Sequence, residues 1–274
     1  MDAVDADGIT EGRLVDPETG DYAVLDRRTD SLLVSAESGH ALMRVGPRGS
    51  RELLLVKPDG TWLPLLRPEP GAMTDAGTIL RDESGTADGR VTVIACSDHS
   101  SDRRRVLRIF VDGRDVTAEE WIGNPDSDVD EFVISEDLTT AAVLWNTSGV
   151  SLLDLLTLGE DQKVLVRRSV DLPGMVASGL SITDDGELLS LTVEGPNLPQ
   201  TVEILRTSTG KIEPINVDRT RRIAERAQEN YIPELVHFTA RDGLELSGWL
   251  YHGEGEDAAG PQPVYIHLHG GPEL

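Results

Sequence analysis

The sequence has little positive charge: 25 Lys and Arg residues stand against 49 Asp and Glu residues, for a formal net charge of −24. Nucleic acids and anionic membrane surfaces are bound by clustered basic side chains, which this charge balance does not supply. The acidity is typical of a solubilising surface; the alternative is a field that favours basic or neutral ligands over acidic ones. We therefore expect neither nucleic acid nor a membrane as a partner.

Cysteine is nearly absent, with Cys96 as the single example. No disulfide can form within the chain, and the apolar run Val91–Cys96 predicts a small core side chain rather than a catalytic thiol. Metal-binding patterns such as H-E-x-x-H and paired carboxylates are also missing. We expect neither a metal nor a cofactor.

Long apolar runs and targeting signals are missing too. No stretch approaches the roughly 18 apolar residues of a membrane-spanning helix. The N-terminal segment MDAVDADGITEGRL is acidic and polar, unlike a signal or transit peptide. Together with the lone cysteine, this favours a cytoplasmic location.

Short β-strands dominate from about residue 13 to residue 216. Runs of four to eight residues rich in Val, Leu and Ile are bounded by Gly, Pro and Asp, and helical periodicity is almost absent. Examples are HALMRV (40–45), ELLLVK (52–57), VTVIAC (91–96), VLRIFV (106–111), AAVLWN (141–146) and ELLSLTV (187–193).

Four segments within this region resemble one another. In each, Ser or Thr and acidic residues form a turn that precedes a buried strand, with a period of roughly 47–50 residues, the size of a four-stranded propeller blade. Polar hairpins at 56–66 and 205–215 match the outer part of such a blade. The repeats are SAESGHALMRV (35–45), DESGTADGRVTVIA (82–95), ISEDLTTAAVLW (134–145) and ITDDGELLSLTV (182–193).

The repeats predict a partial β-propeller of about four blades over residues 1–216. The chain opens at 12–26 on what is typical of the outer part of a blade, without that blade's inner strands. A β-sandwich with coincidental spacing is the alternative that the sequence leaves open.

The composition changes at Val217, where residues 217–233 predict a linker helix. Asp218 can cap its first turn and Pro233 ends it. We expect its four Arg residues to dock the helix onto carboxylates rather than to bind a ligand. They are Arg219, Arg221, Arg222 and Arg226.

Residues 234–274 predict a hairpin, a polar loop and an apolar strand. The hairpin, 234–253, turns at Asp242-Gly243, and the strand VYIHLH, 264–269, is of the kind buried inside a sheet. His269-Gly270-Gly271-Pro272 follows directly. Glycines after a strand allow backbone N–H groups to approach a substrate, and such groups stabilise the oxyanion of an acyl-transfer reaction.

This order of elements resembles the prolyl oligopeptidase family of serine peptidases, and within it the acylaminoacyl-peptidase-like branch. Over 234–272 the resemblance extends to individual sequence motifs. Over the preceding repeats it concerns only the architecture. It implies a propeller set against an α/β-hydrolase domain with the active site between them. Gly270 and Gly271 would then form the oxyanion hole, with the N–H of Gly271 as donor, while His269 and Pro272 would shape the loop.

The departure from the family concerns the catalytic triad. A nucleophile elbow, G-x-S-x-G, is missing from these residues, and Gly149-Val150-Ser151 continues into Leu152 inside a β run. The family's catalytic His lies far downstream of the glycine loop, and His267 is expected to pack in the sheet. We therefore expect the Ser, Asp and His beyond Leu274, in a sequence truncated after the first hydrolase strand and short of the family's usual seven blades.

Three functions remain open at this stage. The first is a fragment of a serine peptidase that acts on short or acylated peptides, with the propeller gating access and the fragment itself inactive. The second is a free-standing propeller that binds a partner and carries a vestigial hydrolase tail. The third is an esterase or lipase, which the long β region disfavours.

Overall fold

The computed structural model of the chain describes residues 2–4, 10–27, 32–37, 39–47, 49–80, 91–217, 222, 232–252 and 264–268. This part is almost entirely β. Its strands are β1 (Asp2–Val4), β2 (Thr10–Val15), β3 (Tyr22–Arg27), β4 (Leu32–Glu37), β5 (His40–Val45), β6 (Glu52–Val56), β7 (Trp62–Leu66), β8 (Thr74–Leu80), β9 (Val91–Ser97), β10 (Arg105–Asp112), β11 (Asp115–Ile122), β12 (Asp128–Ile134), β13 (Thr140–Thr147), β14 (Val150–Leu158), β15 (Val164–Val170), β16 (Val176–Ile182), β17 (Leu188–Gly195), β18 (Leu198–Arg206), β19 (Lys211–Pro214), β20 (Glu234–Thr239) and β21 (Glu245–Leu250).

The strands form antiparallel sheets in which neighbours in sequence are neighbours in space. Sheet I has three strands, β1 to β3, and sheets II to V have four each: β4–β7, β8–β11, β12–β15 and β16–β19. The second strands of sheets II to V begin at His40, Val91, Thr140 and Leu188, a spacing of 48 to 51 residues. Four blade-sized sheets after an incomplete one confirm the predicted partial propeller.

The strand β13 illustrates why these residues form central strands. Its alternate residues face two different cores: Ala141, Val143 and Trp145 pack towards sheet III, and Ala142 and Leu144 pack towards sheet V. A strand covered on both faces is apolar at nearly every position, which is the pattern of AAVLWN. The continuous apolar runs in the sequence therefore mark strands sandwiched between blades.

Each pair of successive four-stranded sheets shares one hydrophobic core. One cluster joins sheets II and III, with Leu42 against Val93; another joins III and IV, with Ile94 against Val143; a third joins IV and V, with Leu144 against Leu189. Cys96 lies in the second cluster and is buried, as predicted.

The repeated Ser/Thr-acid segments form turns between the first and second strands of blades. In sheet IV, Ser135 donates its hydroxyl to Asp137 at 2.6 Å, and in sheet V Thr183 donates to Asp185 at the same distance. The two turns also meet: the backbone N–H of Asp137 donates to the carbonyl of Asp184 at 3.1 Å. The same local motif thus occurs in sheets IV and V and links the two sheets to each other.

Acid should weaken these turns. Hydrogen bonds from Thr183 and from the Glu187 N–H lower the pKa of Asp185, and in Asp137 bonds from Ser135 and Thr139 outweigh partial burial and also lower the pKa. A carboxylate with a depressed folded-state pKa contributes stability at neutral pH that is lost as pH falls through that pKa. We expect the free energy of unfolding to decrease between about pH 5 and pH 3.

The double variant D137N/D185N checks this expectation. Urea unfolding at a series of pH values should show lower stability at pH 7 than the wild type and a shallower loss in acid. The control is Asp126→Asn, a change at an exposed loop residue. Equal acid slopes in the wild type and the double variant would refute the assignment.

A feature that the sequence does not reveal recurs in the first strand of each four-stranded sheet. The pairing with the second strand shifts register in β4, β8, β12 and β16, which is the signature of a β-bulge. In sheet V, the bulge exposes the N–H groups of Gly179 and Leu180. Both donate to the carboxylate of Glu131 on β12, at 2.8 and 2.7 Å, and so tie the inner strands of sheets IV and V together.

The predicted linker helix, 217–233, lies largely outside the described residues. Of its four Arg residues, only Arg222 is described. The hairpin that follows is confirmed: β20 pairs with β21 from Glu234–Leu250 to Thr239–Glu245, and Gly243 turns with φ +90°. Such a φ suits glycine and explains the Asp-Gly sequence at this turn.

Candidate functional site at the propeller–hairpin junction

The sequence assigns the predicted oxyanion loop to residues 269–272. His269, Gly270, Gly271 and Pro272 all lie outside the described residues. Their assignment remains a prediction from the sequence.

The apolar run before that loop differs from the prediction. Val264–Leu268 forms no strand, and its side chains are exposed, with Tyr265 89% accessible and Leu268 83% accessible. His267 is likewise exposed and packs in no sheet within the described residues. A strand inside a sheet needs neighbours on both edges, and the described residues provide none for this segment.

The hairpin β20–β21 lies on one end of the propeller, which we call the upper face. This face carries the β13–β14 turn, the connection between β15 and β16, and the β17–β18 turn. Trp249 of β21 packs on Gly149 of the β13–β14 turn: a Cβ at Gly149, where φ is +84°, would come within 3.2 Å of the indole Nε1. Glycine thus provides both the turn conformation and the space for the ring.

A groove of about 340 Å³ opens between the upper face and the hairpin, within the usual size range of small-ligand sites. The propeller contributes Met175, Val176, Glu194 and Leu198 to its walls, and the hairpin contributes Trp249 and Tyr251. The lining is mainly apolar, and Glu194 is its ionisable carboxylate. This composition suits an organic ligand with an apolar body and one polar or charged group.

Ser151, the start of the incomplete nucleophile pattern, has a structural role. Its side chain is buried, and its Oγ accepts a hydrogen bond from the backbone N–H of Ala177 at 2.9 Å. It sits inside β14 rather than on a strained elbow. The expectation that Gly149-Val150-Ser151 is no nucleophile motif agrees with this geometry.

A Ser–His–Glu contact that the sequence did not suggest lies in the β9–β10 loop. Ser100 Oγ is 3.2 Å from His99 Nδ1, and His99 Nε2 is 3.5 Å from Glu69 Oε2. However, the N–H of Ser100 donates to the same Glu69 oxygen at 2.8 Å. That N–H is occupied and cannot bind an oxyanion, so the cluster caps a loop in which Ser100 has φ +57°.

Two searches of the described residues concern other ligand classes. No group of three or more His, Cys, Asp or Glu residues there is arranged to hold a metal ion. Within the same part of the chain, no helix is long and apolar enough to cross a membrane.

Comparison with known proteins gives matches in structure only; neither a protein-family model nor a curated protein matches the chain. Among the solved structures, a prolyl endopeptidase matches with a TM-score of 0.60 and 17% identity over 90% of this chain and 38% of its own. Oligopeptidase B from Trypanosoma brucei, solved with covalently bound antipain, has a TM-score of 0.60 and 12% identity, over 96% of this chain and 38% of its own.

A puromycin-hydrolyzing peptidase from Mycobacterium tuberculosis also matches with a TM-score of 0.60, at 16% identity, over 96% of this chain and 44% of its own. The chain therefore spans less than half of the peptidases that it resembles. Identities this low establish the architecture alone. Over the part of those enzymes that it spans, the chain has the fold of the prolyl oligopeptidase-type peptidases.

Proposed function

We propose that this chain is part of a serine peptidase of the prolyl oligopeptidase family. It comprises propeller blades over 1–216, a linker over 217–233 and the beginning of an α/β-hydrolase domain over 234–274. The observation that carries the proposal is the match to three such peptidases over 90% to 96% of the chain. The hairpin-to-HGGP order in the sequence points the same way.

In the complete enzyme, the propeller restricts access and the hydrolase domain forms an acyl-enzyme with short peptide substrates. The N–H of Gly271, with Gly270 beside it, would stabilise the oxyanion. His269 and Pro272 shape that loop. The nucleophile, its acid and its base belong to residues outside 1–274, so these residues alone are inactive.

The free-standing propeller is the less favoured alternative. Phe238, Leu244 and Tyr251 on and beside the hairpin are 51% to 62% accessible, and the side chains of 264–268 are exposed as well. Apolar side chains exposed contiguously mark a surface that another body covers. A catalytic domain continuing from this segment accounts for that surface, whereas a vestigial tail does not.

A fluorophosphonate probe, which reacts with activated serine hydroxyls, tests the proposal. Residues 1–274 should remain unlabelled under conditions in which a known serine hydrolase labels fully. Labelling of 1–274 would refute the assignment of the nucleophile to another segment. The variant Ser100→Ala then shows whether the Ser100–His99–Glu69 cluster is the reactive group.

A further inference from the structure

We propose that a second groove, at the end of the propeller opposite the hairpin, binds a small zwitterion of the amino acid class. Arg168 would hold the carboxylate of this ligand, and Glu187 would hold its ammonium group. No covalent bond forms or breaks on binding. The inference goes beyond the peptidase function and depends on neither a catalytic triad nor the oxyanion loop.

The groove lies between sheets IV and V on the lower face, the end of the propeller opposite the upper face. Its volume is about 410 Å³, within the size range of small-ligand sites. One wall is the side of sheet IV that faces sheet V, where Leu155 on β14 lies opposite Arg168 on β15. The other wall comes from two turns of sheet V, 183–187 and 207–210. Because each wall belongs to its own hydrogen-bonded sheet, the groove is formed before a ligand binds, and binding requires little reorganisation.

The guanidinium of Arg168 is held in place without being neutralised. It reaches from sheet IV to sheet V, where it donates to the carbonyl oxygen of Thr207. It also lies against Gly210, since a Cβ there would be 3.3 Å from the guanidinium carbon. Within the described residues no carboxylate oxygen lies within 4 Å of its nitrogens. A guanidinium has five N–H donors in a planar fork, so donors remain for a ligand carboxylate, which such a fork binds in a bidentate manner.

Negative charge lines the same groove from the turn at 183–187. Asp185 and Glu187 are both exposed there. Asp185 accepts hydrogen bonds from the Thr183 hydroxyl and from the Glu187 N–H, at 2.6 and 3.0 Å. The carboxylate of Glu187 has neither an ion pair nor a hydrogen bond in the part of the chain that the structure describes. Opposite charges that line one groove without pairing can both be paired by a ligand that carries both signs.

The mixed charge disfavours ligands that carry one sign only. A simple anion would contact Arg168, but two carboxylates and the net charge of −24 would repel it. A simple cation would meet the unpaired guanidinium. A zwitterion avoids both costs, because each of its groups has a partner of opposite sign.

The rest of the lining suits an aliphatic side chain on the ligand. Leu155 and Val166 provide an apolar surface beside Arg168. The hydroxyls of Thr157 and Ser208 stand at the same groove. An amino acid with a branched aliphatic side chain can bury that side chain on the apolar wall while its charged groups face Arg168 and Glu187. L-Leucine is therefore the probe.

Isothermal titration calorimetry of residues 1–274 at pH 7 tests the proposal with three compounds. L-Leucine carries both charges, L-leucinamide lacks the carboxylate, and N-acetyl-L-leucine lacks the ammonium group. We expect L-leucine to bind and each analogue to bind at least about tenfold more weakly, because each loses one charge-assisted contact. Failure of L-leucine to bind, or equal affinity for L-leucine and either analogue, would overturn the proposal.

Variants then locate the site. Glu187→Gln should weaken binding of L-leucine about tenfold, whereas Glu18→Gln, the same change at an exposed turn of sheet I, should leave it unchanged. Arg168→Gln should act like Glu187→Gln, with Arg114→Gln in an exposed turn of sheet III as its control.

Arg168 also joins two sheets, so urea unfolding checks that its variant folds. Arg168→Lys keeps the charge and loses the planar fork, and it should also weaken binding. Equal affinities in the Glu187→Gln and Glu18→Gln variants would contradict the assignment, whatever the Arg168 variants do. None of these outcomes depends on fluorophosphonate labelling, so the two proposals can fail separately.

Discussion

Trp145→Ala is expected to lower the free energy of unfolding by about 3–5 kcal/mol, the usual range for removing a large buried aromatic side chain. Trp145 is 1% accessible and fills the core between sheets III and IV. Its indole N–H also donates to Asp154 at 2.7 Å, and that buried carboxylate accepts hydrogen bonds from Arg167 and Ser169 at 2.8 and 2.6 Å. The substitution removes both the packing and one partner of a buried polar network.

Two further variants separate these contributions. Trp145→Phe keeps most of the ring and loses the N–H, so it should cost less, about 1–3 kcal/mol. Trp62→Ala removes a tryptophan that is 57% accessible and should cost under about 1 kcal/mol. Urea unfolding followed by far-UV circular dichroism measures all three, independently of tryptophan fluorescence. A Trp145→Ala variant within about 1 kcal/mol of the wild type would contradict the blade interface described here.

Gly186→Ala should destabilise the chain strongly. Gly186 has φ +68°, and a Cβ there would lie 2.7 Å from Thr140 on the neighbouring blade. Backbone strain and the clash between blades add, so we expect a loss of about 2–4 kcal/mol.

Gly113→Ala is the matched control. Gly113 has φ +62°, but nothing lies within 4 Å of its added Cβ, so only strain of about 1 kcal/mol is expected. The difference between the two variants in urea unfolding isolates the contact between turns of successive blades. Equal losses at both positions would show that sheets IV and V do not meet as the structure has them.

The strands and turns that are determined by residues close together in the chain could be predicted from the sequence. Burial of both faces produces the apolar run of β13. The Ser/Thr-acid turns at 135–140 and 183–188 recur because both turns are closed by the same hydroxyl-to-carboxylate hydrogen bond. The hairpin turn requires a positive φ at Gly243, and the Asp-Gly pair in the sequence indicates such a turn directly.

Contacts between residues that are far apart in the chain could not be predicted from the sequence. The contact of Trp249 with Gly149 joins residues far apart in the chain, and the capping of the Gly179–Leu180 bulge by Glu131 has no local signature. The segment 264–268 was predicted as a buried strand because it is apolar, but burial requires a neighbouring strand as well as an apolar sequence.

The central claim is that these residues belong to a longer serine peptidase, and the nucleotide sequence of the locus tests it most directly. The coding frame should be read through Leu274 and upstream of Met1. The account predicts that it continues into a G-x-S-x-G segment and, further on, an Asp and a His, with additional blade-sized repeats on the N-terminal side. A stop codon directly after Leu274 in the genomic and transcript sequences would contradict it.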